Sequence, residues 1–179
     1  MIKKIIATLL MAFLFSPAFA AEKQHSHAAM KKNSVMIVRQ ALLEAEKAEV
    51  LAVLNANETL RLAFFHRNYS DAEKAAKHVI NAMDKLSNKK IKGLLEFAKK
   101  KLGQINPAQS REKNNRNYNL VSMALLHIVT KYDVGDAYNG YYCSMEKKKW
   151  IQNSKKNMTV QNPFASDSMP NCGSMITHY

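Results

Sequence analysis

From Ser34 to Tyr132 apolar residues return every three or four positions, and this periodicity is the strongest constraint on how the chain folds. Strands would need alternation, which is nearly absent there. The first segment, Ser34 to Arg67, places Leu43, Val50, Leu54, Leu60 and Phe64 on one helical face, with Asn55 and Asn57 marking a bend or restart. Ser70-Asp71-Ala72-Glu73 reads as a capping box, opening a helix striped by Ala72, Ala75, Ala76, Val79, Ile80, Met83 and Leu86. Ile91, Leu94, Leu95, Ala98 and Leu102 form a third stripe, ended by Gly103 and Asn106-Pro107. Ser110 starts a fourth, with Tyr118, Val121, Leu125, Ile128 and Tyr132. Short connections between amphipathic helices imply antiparallel neighbours. The expected fold is all-α: an up-down bundle of about four helices over residues 34–132, with an irregular segment, 133–179, packed on it as part of one domain.

What precedes the bundle reads as an address. Lys3 and Lys4, the apolar run Ile5 to Phe15, and Ala18-Phe19-Ala20 make residues 1–20 a secretory signal peptide. The run is too short for a spanning helix, and no later segment could cross a bilayer, so a periplasmic, soluble product without a transmembrane segment is expected. Residues 21–33 form a polar, flexible arm carrying His25, His27 and Met30, a weaker candidate metal site.

Charge acquires its meaning from export. Lys and Arg number 27 against 14 Asp and Glu, a net charge of +13, which falls to +11 when Lys3 and Lys4 leave with the signal peptide. Lys89, Lys90, Lys92, Lys99, Lys100 and Lys101 cluster on the third helix. In an exported protein nucleic acid is not the expected partner. An anionic envelope surface, met through Lys89, Lys90, Lys99, Lys100 and Lys101, is. A solvated basic face is the simpler alternative.

The tail gathers the residues capable of chemistry. It reads Tyr142-Cys143-Ser144-Met145, then Trp150, then Asn162-Pro163-Phe164, then Met169-Pro170-Asn171-Cys172-Gly173. Each half pairs a thiol with a thioether. Soft sulfur selects Cu(I) or Ag(I), so Cys143, Met145, Met169 and Cys172 are candidate ligands, with His127 as a weaker addition. An oxidising compartment allows the alternative, a Cys143–Cys172 disulfide with the methionines as packing residues. No glycine-rich phosphate loop, GxSxG elbow, HExxH pair or defensible pair of carboxylates occurs, and the chain is not expected to be an enzyme.

These tail motifs resemble a family of bacterial periplasmic domains of unknown function, found alone or fused to adaptor subunits of heavy-metal efflux pumps. The family pattern is a Tyr/Phe-Cys-Pro-Met start, a central Trp, an Asn-Pro-aromatic turn and a Met-x-x-Cys-Gly end. This chain supplies Tyr142-Cys143, Met145, Trp150, Asn162-Pro163-Phe164 and Met169 through Gly173, with Arg116, Tyr118 and Ser122 also in register. It departs at Ser144, where Pro is usual, and at Ala165 and Ser166, where an aromatic and a Gly are common. The resemblance, over about residues 50–174, implies a periplasmic helical bundle in a copper or heavy-metal context, with an efflux adaptor as partner. Trp150, Asn162, Pro163, Phe164 and Gly173 are its structural tail residues. The function expected is soft-metal binding, buffering the ion or passing it to efflux; the alternative is a disulfide-stapled interaction module of the envelope.

Overall fold

The computed structural model describes residues 38–179. The signal peptide, the arm with His25, His27 and Met30, and the expected helix start at Ser34 lie outside them. Four helices come first: α1 (Glu44–Phe65), α2 (Tyr69–Asp84), α3 (Lys89–Leu102) and α4 (Arg111–Lys131). Three strands follow: β1 (Tyr138–Cys143), β2 (Lys148–Asn153) and β3 (Ser174–Met175). No helix among the described residues is long and apolar enough to cross a membrane.

The all-α expectation is therefore corrected. The fold is mostly helical, but its tail carries a small antiparallel sheet ordered β2-β1-β3. Tyr141 opposes Trp150 and Cys143 opposes Lys148 across the hairpin, while Tyr142 opposes Ser174 on the other side. Tyr, Trp and Ile suit a pleated surface. What hid the strands is two-sided burial: five of the six β1 residues are buried, so the apolar–polar alternation of a half-exposed strand never arises.

The helix ends show where local chemistry acted. α1 begins ten residues later than expected, because the preceding chain is drawn into other bonds. Gln40 N–H donates to the Lys131 carbonyl (2.8 Å), and Asp133 N–H donates to the Gln40 carbonyl (2.8 Å). Leu43 is consequently exposed at the N-cap rather than part of the core. α1 runs unbroken through Asn55 and Asn57, since both amides have tertiary partners. Asn55 Oδ1 accepts from the Tyr138 hydroxyl (2.6 Å), and buried Asn57 accepts from Tyr118 (3.4 Å). The expected capping box at Ser70 is displaced by Asn68, whose Oδ1 accepts the Asp71 N–H (3.1 Å). Ser110 caps α4 as its sequence suggests, accepting from Lys113 N–H (3.3 Å).

The core follows the stripes. α1 packs on α2, α2 on α3, and α3 on α4, while the hairpin lies against α4 and α1. Ala72, Ala75, Ala76, Val79 and Met83 bury the α2 face; Ile91, Leu95, Ala98 and Leu102 bury that of α3. Leu94 belongs to no core face and is exposed. An aromatic ladder joins the two halves: Phe64 stacks on Tyr118 at 4.4 Å, Tyr118 meets Phe164 at 5.6 Å, and Phe164 meets Trp150 edge-on at 6.5 Å.

Candidate metal centre

The four sulfur residues converge. Cys143 ends β1, Met145 sits in the turn of the hairpin, and Met169 and Cys172 come from the loop before β3. All four line one small cleft of about 20 Å³, together with Glu146, Ala165 and Ser166. Cys143 and Cys172 are joined as a disulfide, with Cα atoms 5.8 Å apart, a normal spacing for such a bond. Cys143 is fully buried and Cys172 half-buried, whereas Met145 and Met169 are exposed. The sulfur cluster is therefore a covalent pair flanked by two accessible thioethers.

The other tail residues singled out in the sequence help to build this cleft. Asn162 is buried and ties the loop from three sides: its N–H donates to the Pro170 carbonyl (3.0 Å), its Nδ2 to the Cys172 carbonyl (2.9 Å), and its Oδ1 accepts from Phe164 N–H (2.9 Å). Pro163 lies between these anchors, and Phe164 inserts into the aromatic ladder. Gly173 has φ of 144°, and a Cβ there would stand 2.5 Å from the Trp150 ring and 3.2 Å from the Tyr142 carbonyl. Glycine alone allows this close approach beside Cys172. Trp150 is completely buried and stacks on Tyr141 at 5.7 Å, forming the floor under that loop.

The bundle holds the loop through cations. The Ala165 carbonyl accepts from Arg67 (3.1 Å) at the end of α1 and from Arg111 (2.7 Å) at the start of α4. Arg67 also pairs with Asp167. Deeper in, Arg61 has no exposed side-chain surface and donates twice to Glu58 (2.7 and 3.2 Å). Its remaining donors reach the Gln161 carbonyl (2.9 Å) and Gln161 Oε1 (2.8 Å). Glu58 in turn accepts from Asn153 N–H (3.3 Å) and Asn157 Nδ2 (2.7 Å). Each guanidinium nitrogen and each carboxylate oxygen of this buried pair has a hydrogen-bond partner, as a charge removed from water requires. Sequence reasoning missed Glu58 and Arg61; their only signal was an ion pair at i, i+3 on an otherwise apolar stretch of α1.

His127, the weaker candidate among the described residues, does not join the sulfur residues. It is exposed on α4 and is not part of the cleft wall. His66 and His78 line a separate groove between α1 and α2. Among the described residues, no three His, Cys, Asp or Glu side chains gather as a metal cluster, so any ligand set at this cleft depends on the thioethers. A larger cleft of about 560 Å³ adjoins it, sharing Glu146 and Ser166 and bordered by Arg111, Arg116 and Lys148. Arg116 is paired there with Glu112 (2.7 Å) and Lys148 with Glu146 (3.3 Å).

Comparison with protein-family models, curated proteins and solved structures finds no match to the chain.

Proposed function

We propose that this protein is a periplasmic accessory protein that takes up a soft monovalent ion, Cu(I) or Ag(I), at the sulfur cleft and buffers it or passes it to a heavy-metal efflux adaptor. The observation that carries the reading is the convergence of Cys143, Met145, Met169 and Cys172 on one cleft. Thiolates and thioethers favour soft, low-coordinate ions over Mg²⁺ or Ca²⁺. The export signal and the resemblance of the tail to efflux-associated periplasmic domains supply the compartment and the partner.

The disulfide sets the terms of uptake. While Cys143 and Cys172 are joined they are poor ligands, and the thioethers of Met145 and Met169 are the soft donors left at the cleft. An external dithiol delivers two electrons and two protons to the bond, becoming a disulfide itself and leaving two thiols. Those thiols lose their protons as the ion binds. Uptake therefore belongs to the dithiol form and storage without metal to the disulfide form. Titrating reduced protein with Cu(I) against a competing chelator tests the reading. Cys143→Ser and Met169→Leu are each expected to weaken binding, and unchanged affinity in both variants removes these ligands.

A second reading is favoured by the covalent bond itself: a stapled interaction module without a metal role. Thiol labelling with intact mass on protein isolated from the oxidising compartment separates the two. A bond that resists dithiol reductants in the folded protein favours the staple. In either reading the lysines of α3 provide an attachment to anionic envelope surfaces.

A further inference from the structure

α3 buries one face and leaves the other uncovered. Ile91, Leu95, Ala98 and Leu102 point into the bundle. With about 100° between successive residues, Lys90, Leu94, Phe97 and Lys101 share the flank beside that stripe, and Lys89, Gly93 and Lys100 follow on the side facing away from the core. Phe97 is 55% exposed and Leu94 39%, an i, i+3 apolar pair standing in water. Lys101 Nζ lies 5.3 Å from the Phe97 ring centroid. Gly93, on the same face, has nothing near its Cα on the outer side and keeps the surface low.

The lysines divide into two groups. Lys99 pairs with Asp84, and Lys92 donates to the Asp84 carbonyl (2.7 Å), so both are turned toward α2. Among the described residues no carboxylate pairs with Lys89, Lys90, Lys100 or Lys101. Glu96 is the one acid on α3; it lies beside Lys89 and one turn before Lys100, away from Phe97 and Leu94, and forms no ion pair with either lysine. Two exposed apolar side chains thus have Lys90 and Lys101 beside them and Lys89 and Lys100 along their outer margin, none of the four in an ion pair among the described residues.

We propose that this face of α3 is a bilayer-docking surface, in which Leu94 and Phe97 enter the headgroup boundary of an anionic phospholipid membrane while Lys89, Lys90, Lys100 and Lys101 engage its phosphates. It rests on the reading of the α3 lysines as an envelope contact and adds to it an apolar anchor and a lipid class. Charge complementarity selects the occupant. Lysine heads on long, flexible stems supply charge without fixed geometry, which suits a fluid layer of phosphates better than carboxylates held at set positions on a protein. Their methylene stems can lie along the apolar pair while the ammonium groups stay wet. The outer surface of a helix is convex and suits a deformable plane, and Phe and Leu within a basic rim are the composition of interfacial helices.

Vesicle co-sedimentation tests the inference, using the intact protein with phosphatidylcholine vesicles and with vesicles containing phosphatidylglycerol. Binding is expected only to the phosphatidylglycerol vesicles and is expected to fall steeply as salt rises. Replacing both anchors, Leu94→Ser with Phe97→Ser, is expected to weaken it about tenfold at low salt. Lys100→Glu with Lys101→Glu is expected to abolish it. Leu94, Phe97 and Lys100 are exposed and Lys101 is half-buried, and circular dichroism checks that the helices persist. Binding that ignores the Leu94/Phe97 replacement overturns the apolar anchor but leaves the electrostatic contact standing. No binding to phosphatidylglycerol vesicles overturns both and leaves the face to an acidic protein.

Discussion

In α2 and α3 the buried residues are alanines, leucines, a valine, an isoleucine and a methionine that meet neighbours from adjacent helices. The tail is held by other means: a disulfide, a three-bond asparagine, a buried tryptophan, and polar bonds that cross 100 residues of sequence to α1 and 54 to α4. Packing of the first kind is redundant, because many small contacts share the stabilisation. Bonding of the second kind is concentrated in a few groups, each of which leaves an unmatched charge or a clash when altered. Single substitutions should therefore be felt more sharply in the tail and at its seam with α1.

The most severe test of that contrast is Glu58→Ala. It leaves Arg61 buried without its carboxylate, and the expected loss is about 3–5 kcal/mol in urea unfolding. Pairing Glu58→Leu with Arg61→Met should restore much of that loss; failure to do so would mean that the Asn153, Asn157 and Gln161 bonds matter more than the ion pair.

Removing the staple comes next. Cys143→Ala with Cys172→Ala opens a bridge between residues 29 apart. The chain-entropy model gives a cost of about 3–4 kcal/mol. Amide exchange should accelerate in β1 and β2 before it does in α2 and α3. Uniform acceleration would show that the two regions open together.

Gly173→Ala is a smaller and more local perturbation. The added methyl meets Trp150, the one tryptophan in the chain. A loss of about 1–3 kcal/mol is expected, with a shift in tryptophan emission that reports the displaced ring.

The smallest effect concerns pH. The Ser87 N–H, followed by the Ser87 hydroxyl, holds the Glu49 carboxyl below its usual value of 4.5. A depressed carboxyl contributes stability above its unfolded value and loses it as pH falls through its folded value. Glu49→Gln should therefore flatten the acid limb of a Tm-versus-pH curve. At the other extreme, burial raises the Tyr118 hydroxyl above 10.0, so stability is intact below that value and declines as pH rises beyond it. Tyr118→Phe should soften the alkaline decline.

The same contrast explains which parts of the fold were legible in the sequence. The stripes of α2 and α4 could be read directly, because burial there follows the 3.6-residue period, and Ser110 announced its cap by residue type. Leu94 shared the spacing of the α3 stripe but falls at its edge, where it is left exposed. Asn55 and Asn57 looked like helix breakers because their partners, Tyr138 and Tyr118, are distant in sequence. Local propensity also could not foresee the sheet, since β1 and β2 are wrapped on both sides. At the candidate site the four sulfur positions were legible from their residue types. Their covalent state and the unequal burial of the two cysteines depended on loop closure by Asn162 and Gly173.

The Glu58–Arg61 pair also bears on the order of folding. Its two members lie within one turn of α1, yet its remaining bonds go to Asn153, Asn157 and Gln161, up to 100 residues later. Helix α1 can form early from local contacts, but its charged centre has to stay hydrated until the hairpin arrives. Contacts of such separation slow the final step, because a long loop must close before they form. Docking of the tail is thus expected to be a late, distinct kinetic phase. Until it occurs, both thiols remain accessible to whatever oxidant or metal ion reaches the chain first.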